Sequence, residues 1–227
     1  MTTRVEVVAD ALRGETVARE LEETATPGTR LCLATGATLA PCYRLVRDLT
    51  GTELLLLDEF GGLPPGDPGR CESMLRRHLL DHLDSPPTVG LPDVDAPDPE
   101  TAAAAYREIL SKGIDLAVVG LGRNGHIGMN EPGTAVDAPT RVVELAAETS
   151  ANAGSYGASI SPTWGITVGF AELMTAGEVW LVVTGPHKRD ILSQTLTSPI
   201  GPDLPATYLR SHHNLRVMVD ISAAGKR

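Results

Sequence analysis

Short apolar runs alternate along the chain with segments that place hydrophobic residues on one face of a helix. The runs are mostly continuous, which is typical of strands buried on both faces of a parallel sheet. They predict strands at residues 5–8, 30–34, 53–57, 116–119, 140–145, 178–184 and 215–220. Helices are predicted from Asp10 to about Thr24, across residues 39–46, up to about residue 84, from Asp98 to Gly113, and through Leu196.

Alternation of buried strands with helices predicts the fold class. We expect an α/β fold: a Rossmann-like, mostly parallel sheet of about seven strands with helices on both faces. The 227 residues fit a single domain, 1–227. Ser85 to Pro99, with its five prolines, is predicted to be a surface loop, and residues 146–163 to be a mobile loop or a broken helix.

Polar residues gather where the predicted strands end. Thr35-Gly36-Ala37-Thr38 follows the second strand, and Asp58-Glu59 follows the third. The strand at 116–119 runs into a loop with three glycines (Gly120, Gly122, Gly125) and then His126, Asn130 and Glu131. In open α/β sheets ligands bind outside the carboxyl ends of the strands, so a site is expected at this edge. Backbone N–H groups and hydroxyls in the 35–38 loop suit an oxyanion, assisted by the dipole of the following helix.

Composition narrows the classes of function. The net charge is −10 with no run of Lys or Arg, which argues against a nucleic-acid or membrane partner. Cys32, Cys42 and Cys71 have no metal-ligand spacing and are interpreted as small buried residues in a reducing compartment. The first residues lack a signal-peptide pattern, and no stretch approaches a membrane span. A cytoplasmic location is therefore expected.

The string from Ile114 to Gly133, IDLAVVGLGRNGHIGMNEPG, resembles the signature loop of the glucosamine-6-phosphate deaminase and isomerase family. In that loop Gly-x-Gly-x-Asp-Gly-His is followed by Ile and then by Asn-Glu-Pro. The related 6-phosphogluconolactonases share Asp-Gly-His but not Asn-Glu-Pro. The 35–38 loop is similar to the family's phosphate-binding loop, Asp58-Glu59 to its Met-Asp-Glu-Tyr segment, and Lys188 to the lysine of its Gly-x-x-Lys. The resemblance extends from about Leu31 to Asp220 and marks a divergent member.

The resemblance implies aldose–ketose isomerisation of an amino-sugar 6-phosphate with deamination. By matching position, Asp58 would transfer the proton between C2 and C1, His126 would open the sugar ring, and Glu131 would orient the histidine, with Asn124 beside it. The implied substrate-binding residues are Thr35, Gly36, Ala37, Thr38, Glu59, Gly122, Gly125 and Lys188. No metal or organic cofactor is required, the implied partner is a phosphorylated amino sugar, and monomer and small homo-oligomer stay open.

Two positions depart from the family pattern. Asn124 stands where the family has aspartate, and an amide cannot stabilise an imidazolium by charge, so altered ring opening is expected. The family's phosphate-binding arginine should lie near residues 151–156, where this chain has none. Arg123 and Arg210 are the two candidates to replace it.

Three other functions stay open at this point. The protein could isomerise a different amino sugar without deamination, hydrolyse a lactone as 6-phosphogluconolactonases do, or bind a sugar phosphate without turnover. A substrate without phosphate is also compatible with a family match that reflects the scaffold alone.

Overall fold

In a computed structural model, residues 4–9 and 13–225 are described. Their strands are β1 (Arg4–Val8), β2 (Arg30–Leu33), β3 (Glu53–Leu56), β4 (Asp58–Gly61), β5 (Thr88–Gly90), β6 (Leu116–Gly120), β7 (Arg141–Glu144), β8 (Trp164–Thr167), β9 (Glu178–Val183) and β10 (Leu215–Asp220). The α-helices are α1 (Arg13–Thr24), α2 (Ala40–Tyr43), α3 (Cys71–His78), α4 (Pro99–Leu110), α5 (Ala147–Ala153), α6 (Phe170–Leu173), α7 (Arg189–Thr197) and α8 (Ile221–Ala224). Four 3₁₀ segments span Leu80–His82, Gly154–Tyr156, Pro186–Lys188 and Pro205–Ser211.

Seven strands form a sheet in the order β1-β10-β9-β6-β2-β3-β5, and every neighbouring pair in it is parallel. This confirms the predicted mostly parallel, Rossmann-like sheet. The chain moves outward from β2 in one direction and from β6 in the other. The loops that follow these two central strands therefore diverge, which creates a crevice at the carboxyl edge.

A second sheet, which the pattern did not predict, has three antiparallel strands in the order β4-β8-β7. The predicted strand at 140–145 belongs to this sheet and not to the large one. Leu57 joins the two sheets, because its N–H donates to Leu33 and its carbonyl accepts from Val168. Asp58 and Glu59 therefore lie in a strand and not in a loop.

Three further predictions need correction. The region 85–99 contains β5, a three-residue edge strand too short to give a hydrophobic signal. The helix predicted across 39–46 is only the single turn α2, and Leu45 is 40% exposed. Asp10, where the first helix was predicted to begin, lies outside the described residues. Asp98, where another helix was predicted to begin, caps α4 by accepting from the N–H groups of Glu100 and Thr101.

Two buried tyrosines fix strand ends next to the crevice. The Tyr43 hydroxyl of α2 donates to the Ala34 carbonyl at 2.8 Å, just beyond β2. The Tyr106 hydroxyl of α4 donates to the Leu56 carbonyl at 2.6 Å, at the end of β3. Because buried carbonyls need partners, these bonds hold the points from which the site loops leave the sheet.

Candidate active site

A cleft of about 350 Å³ opens at the carboxyl edge of the large sheet. The loops after β2, β6 and β9 and the strand β4 contribute to it, and the segment from α5 to Tyr156 covers one side. The lining includes Thr35–Thr38, Asp58, Cys71, Gly120–Asn124, His126, Gly128, Glu148, Thr149, Tyr156, His187 and Lys188. The cleft thus gathers most of the residues that the sequence singled out.

Asp58 presents its carboxylate to this cleft from the first position of β4. Its Oδ1 accepts a hydrogen bond from the Cys71 thiol, with an Sγ–Oδ1 distance of 3.6 Å. Burial raises the pKa of Asp58 to about 6, although the Cys71 thiol and the charge of His126 partly offset the rise. A carboxyl group that titrates near neutral pH is suited to taking up and returning a proton.

Glu59 does not line the cleft, so its predicted role in substrate binding needs correction. Its side chain points to the opposite side of β4, where the residue is only 2% exposed. The carboxylate accepts from the N–H groups of Phe60, Cys71 and Glu72 at 2.7 to 2.9 Å. Two of these are unpaired donors of the first turn of α3, so Glu59 holds the start of that helix. Burial raises the pKa of Glu59 to about 7, against the effect of these bonds.

His126 is oriented by an amide, and the amide in turn by a carboxylate. The His126 Nδ1 lies 2.7 Å from the Asn124 Oδ1, while the Asn124 Nδ2 donates to the Glu131 Oε2 at 2.7 Å. The His126 Nδ1 is 3.6 Å from that same Glu131 oxygen. The Thr149 hydroxyl donates to the other oxygen, Oε1, at 2.5 Å. Glu131 therefore acts on His126 mainly through Asn124, which stands between them.

This arrangement fixes the protonation pattern of the neutral histidine. Because the Glu131 carboxylate only accepts, Asn124 must turn its NH₂ group toward Glu131 and its oxygen toward His126. The Nδ1 of His126 then carries the proton, and Nε2 is left as the free base. Burial alone would raise the pKa of Glu131, but contacts with His126, Thr149 and Asn124 lower it to about 2. Glu131 is thus a permanent anion at neutral pH.

Three glycines of the signature loop have separate physical roles. A Cβ on Gly122 would lie 2.4 Å from the ring of His126, so this glycine leaves space for the imidazole beside the cleft. A Cβ on Gly125, at φ +83°, would lie 2.1 Å from the Leu204 Cδ1. Gly125 does not line the cleft, and the structure gives it a packing role in place of the predicted contact with substrate. Gly128, at φ +60°, would place a Cβ 3.2 Å from the Asp58 Oδ2.

The 35–38 loop lines the cleft directly after β2. None of the hydrogen bonds among the described residues uses the backbone N–H groups of Thr35, Gly36, Ala37 or Thr38. Gly36 has φ +109°, a conformation that favours glycine. The helix that follows has only four residues, so the helix dipole invoked from the sequence has little length over which to build. The open N–H groups and hydroxyls are what suit the loop to an oxyanion.

Two cationic side chains, Lys188 and Arg123, line the same cleft. The Lys188 Nζ donates to the Leu121 carbonyl at 2.6 Å, and burial together with the charge of Arg123 lowers the pKa of Lys188. Arg123 itself lines the cleft. Arg210 does not, because its guanidinium donates to the carbonyls of Thr195 and Ser198. Of the two arginines that could replace the missing one, the structure places Arg123 at the site.

Several lining residues were not predicted to have a role in the site. Cys71 was interpreted as a core residue, yet its thiol contacts Asp58. Tyr156 lies over the 35–38 loop, with its hydroxyl 3.4 Å from the position of a Cβ on Gly36. Thr149 binds Glu131, and His187 stands beside Lys188. No spacing signal marks these positions, because they come from segments that meet only in the folded chain.

The arrangement combines a carboxyl group with a pKa of about 6, a histidine of defined tautomer, and two cationic side chains in the same cleft as the 35–38 loop. Asp58 follows β3 and Lys188 follows β9, three strand positions away in the sheet. At the usual spacing of about 4.8 Å between strands, the ends of β3 and β9 stand roughly 14 Å apart. A small anionic molecule can therefore span the cleft between them. Within the described residues no group of three or more His, Cys, Asp and Glu side chains is placed to hold a metal ion. No helix of the described part of the chain has the length and apolar character needed to cross a membrane.

Comparison with known proteins places the chain in a family. Residues 4–218 match a family model described as "Glucosamine-6-phosphate isomerases/6-phosphogluconolactonase". A glucosamine-6-phosphate deaminase from Leuconostoc citreum (strain KM20) is 40% identical over 212 residues, which cover 90% of this chain and 91% of the relative. A glucosamine-6-phosphate deaminase from Exiguobacterium sp. (strain ATCC BAA-1283 / AT1b) is 37% identical, over 86% of this chain and 80% of the relative.

Solved structures show the same relationship. A structure described as a monomeric glucosamine-6-phosphate deaminase superposes with a TM-score of 0.92 at 29% identity, covering 99% of this chain and all of the other. The 6-phosphogluconolactonase from Trypanosoma brucei gives a TM-score of 0.77 at 19% identity, covering 99% of this chain and 98% of the other, which shows a shared fold. On the strength of the family model and these relatives, the chain belongs to the glucosamine-6-phosphate isomerase/6-phosphogluconolactonase family.

Proposed function

We propose that this protein converts glucosamine 6-phosphate and water into fructose 6-phosphate and ammonia. The observation that carries the proposal is the cleft itself. It holds a carboxyl group with a pKa of about 6 (Asp58), a histidine with a free Nε2 (His126), and a half-buried lysine next to an arginine (Lys188 and Arg123). The names of the relatives support the substrate, since those of 33–40% identity are glucosamine-6-phosphate deaminases.

The first step is ring opening. With its Nδ1 proton held by Asn124, His126 uses Nε2 to take the proton of the anomeric hydroxyl and to return a proton to the ring oxygen. Positive charge develops on the imidazole during this transfer. Since Asn124 is neutral, Glu131 supplies the compensating negative charge at 3.6 Å from the Nδ1 of His126, beyond hydrogen-bond distance. Glu131 thus assists ring opening by electrostatic attraction to the imidazolium, without a direct hydrogen bond to it.

The second step is proton transfer between carbons. The ionised Asp58 carboxylate removes the proton from C2 of the open-chain sugar and delivers it to C1. The amino nitrogen loses a proton as the carbonyl oxygen on C1 gains one, so that C2 becomes an imine and C1 a CH₂OH group. Addition of water at C2 and departure of ammonia then give the ketose. The phosphate is held by the N–H groups of the 35–38 loop, by Lys188 and by Arg123, which fixes C2 relative to Asp58.

The direct test is proton NMR of the protein with glucosamine 6-phosphate in D₂O together with an ammonia assay. We expect fructose 6-phosphate and ammonia with the wild type and neither with Asp58→Asn. Deuterium at C2 without ammonia would instead identify an isomerase that does not deaminate. Acid release from 6-phosphogluconolactone, with no reaction of the amino sugar, would refute the proposal in favour of a lactonase.

The phosphate assignment has its own test. Lys188→Ala should raise KM for glucosamine 6-phosphate, because one charge-assisted contact with the phosphate is lost. Unphosphorylated glucosamine should be a poor substrate for both proteins. An unchanged KM in Lys188→Ala would show that the phosphate does not bind at this end of the cleft.

A further inference from the structure

Cys71 is the first residue of α3, and its thiol lies within the catalytic cleft although the residue is only 3% exposed. Its Sγ is 3.6 Å from the Asp58 Oδ1, a normal distance for a hydrogen bond from sulfur. A side-chain hydrogen bond with Thr35 acts on the same thiol and tends to lower its pKa. The thiol therefore interacts with both the Asp58 carboxylate and the 35–38 loop.

The thiol is held in this position by the neighbour of Asp58. The Glu59 carboxylate accepts from the N–H of Cys71 at 2.9 Å and from the N–H of Glu72 at 2.7 Å. Arg70, the residue before α3, makes no side-chain capping bond, so Glu59 supplies the anchor from a different strand. Glu59 thus fixes the start of α3, and Cys71, the first residue of α3, contacts Asp58.

The direction of the hydrogen bond follows from the chemistry of the two groups. Burial and the charges of Asp58 and Glu59 raise the pKa of the Cys71 thiol well above its usual range, so the sulfur keeps its proton. An ionised carboxylate has no proton to give, and the S–H must be the donor. A donor to the carboxylate favours its charged form.

We propose that Cys71 is a positioning residue that fixes the orientation of the Asp58 carboxylate and keeps it ionised, by donating its S–H to Oδ1. The proposal rests on the proposed function for the catalytic meaning of Asp58, but not for the contact itself. Cys32, which is fully buried in β2, makes no hydrogen bond to Asp58 and serves as the matched control.

The test follows the titration of Asp58 directly, by carbon NMR of protein labelled at the aspartate carboxyl carbon, with Asp58→Asn to assign the signal. Loss of one weak neutral donor should raise the midpoint in Cys71→Ala by about 0.5 to 1 pH unit. Cys71→Ser, whose hydroxyl is a donor in nearly the same place, should return the midpoint to the wild-type value or below it. Cys32→Ala should leave it unchanged.

The pH profile of kcat/KM provides the catalytic readout. The midpoint of its acid limb should move to higher pH in Cys71→Ala and return to the wild-type pH in Cys71→Ser. A loss of packing alone would not produce this shift and its reversal. Identical midpoints in the wild type, Cys71→Ala and Cys71→Ser would overturn the proposal even if the wild type deaminates glucosamine 6-phosphate. If Cys71→Ala shifts the midpoint but the wild type does not deaminate glucosamine 6-phosphate, the role of the thiol stands and the proposed function is refuted instead.

Discussion

Replacing Asp58 by Asn should abolish turnover and at the same time stabilise the folded protein. The carboxylate lies at the base of the cleft, where burial disfavours its charged form and raises its pKa from 3.8 to about 6. At neutral pH the folded state must nevertheless hold it ionised. Asn has nearly the same shape, carries no charge and keeps an oxygen to accept from Cys71, so it removes the desolvation while preserving the contact.

The magnitude follows from the pKa difference between the folded and unfolded states. A rise of about two units corresponds to about 3 kcal/mol of destabilisation once the group is ionised in both states. Asp58 is partly accessible to water through the cleft, which reduces the penalty, so we expect Asp58→Asn to gain about 1–3 kcal/mol at pH 7.

The sign of the pH dependence is also fixed. The gain should be absent below the unfolded pKa of 3.8, increase as pH rises toward about 6, and stay constant above it. Urea unfolding from pH 4 to pH 8 measures it, with Asp81→Asn as a control that removes one exposed acid from the 3₁₀ segment after α3. The control should show no such rise. Equal stabilities of wild type and Asp58→Asn at pH 7, or a difference independent of pH, would refute the reasoning that the carboxylate is held ionised at the expense of stability.

Three further predictions concern residues in and around the site. Arg123→Ala should raise KM for glucosamine 6-phosphate about tenfold through loss of a charge-assisted contact, whereas Arg210→Ala should not, and steady-state kinetics of both variants decides between them. Glu131→Gln should lower the unfolding free energy by about 1–2 kcal/mol at pH 7, after allowance for the partial exposure of Glu131. The loss should shrink as pH falls from about 4.5 toward 2. Urea unfolding across that pH range measures the loss, and a constant loss would contradict the prediction. Gly125→Ala should destabilise the fold by about 2–3 kcal/mol, because φ is +83° and the new Cβ meets Leu204; a thermal midpoint equal to that of the wild type would show that the loop relaxes freely.

The sequence alone was sufficient for the large sheet and for the position of the site. Strands buried on both faces are rich in continuous apolar runs, and β2, β3, β6 and β9 each contain one, whereas Arg216 interrupts β10. Since parallel strands end at one edge, the polar residues that follow them were correctly expected to meet there. The signature loop with His126 and Glu131 was recognisable because the whole string from Ile114 to Gly133 resembles that of a known family.

The second sheet could not be predicted, because its formation depends on contacts between distant segments. The strand β4 follows β3 after a single residue with no turn signal, and its partner β8 lies about a hundred residues later. Whether residues 140–145 joined the large sheet or a small one likewise depends on which edge they met. The hydrophobic pattern indicates that a strand is buried, but it does not indicate which strand it pairs with.

Only the tertiary structure decided which residues face the cleft and which support it from behind. Asp58 and Glu59 are adjacent acids and look equivalent in the sequence, yet neighbouring side chains of a strand point to opposite faces. One therefore reaches the cleft, while the other holds the start of α3. The choice of Arg123 over Arg210, the position of Asn124 between His126 and Glu131, and the approach of the Cys71 thiol to Asp58 have the same origin. Each depends on the direction of a side chain and on the residues that folding brings into contact with it. The local sequence determines neither of these two factors.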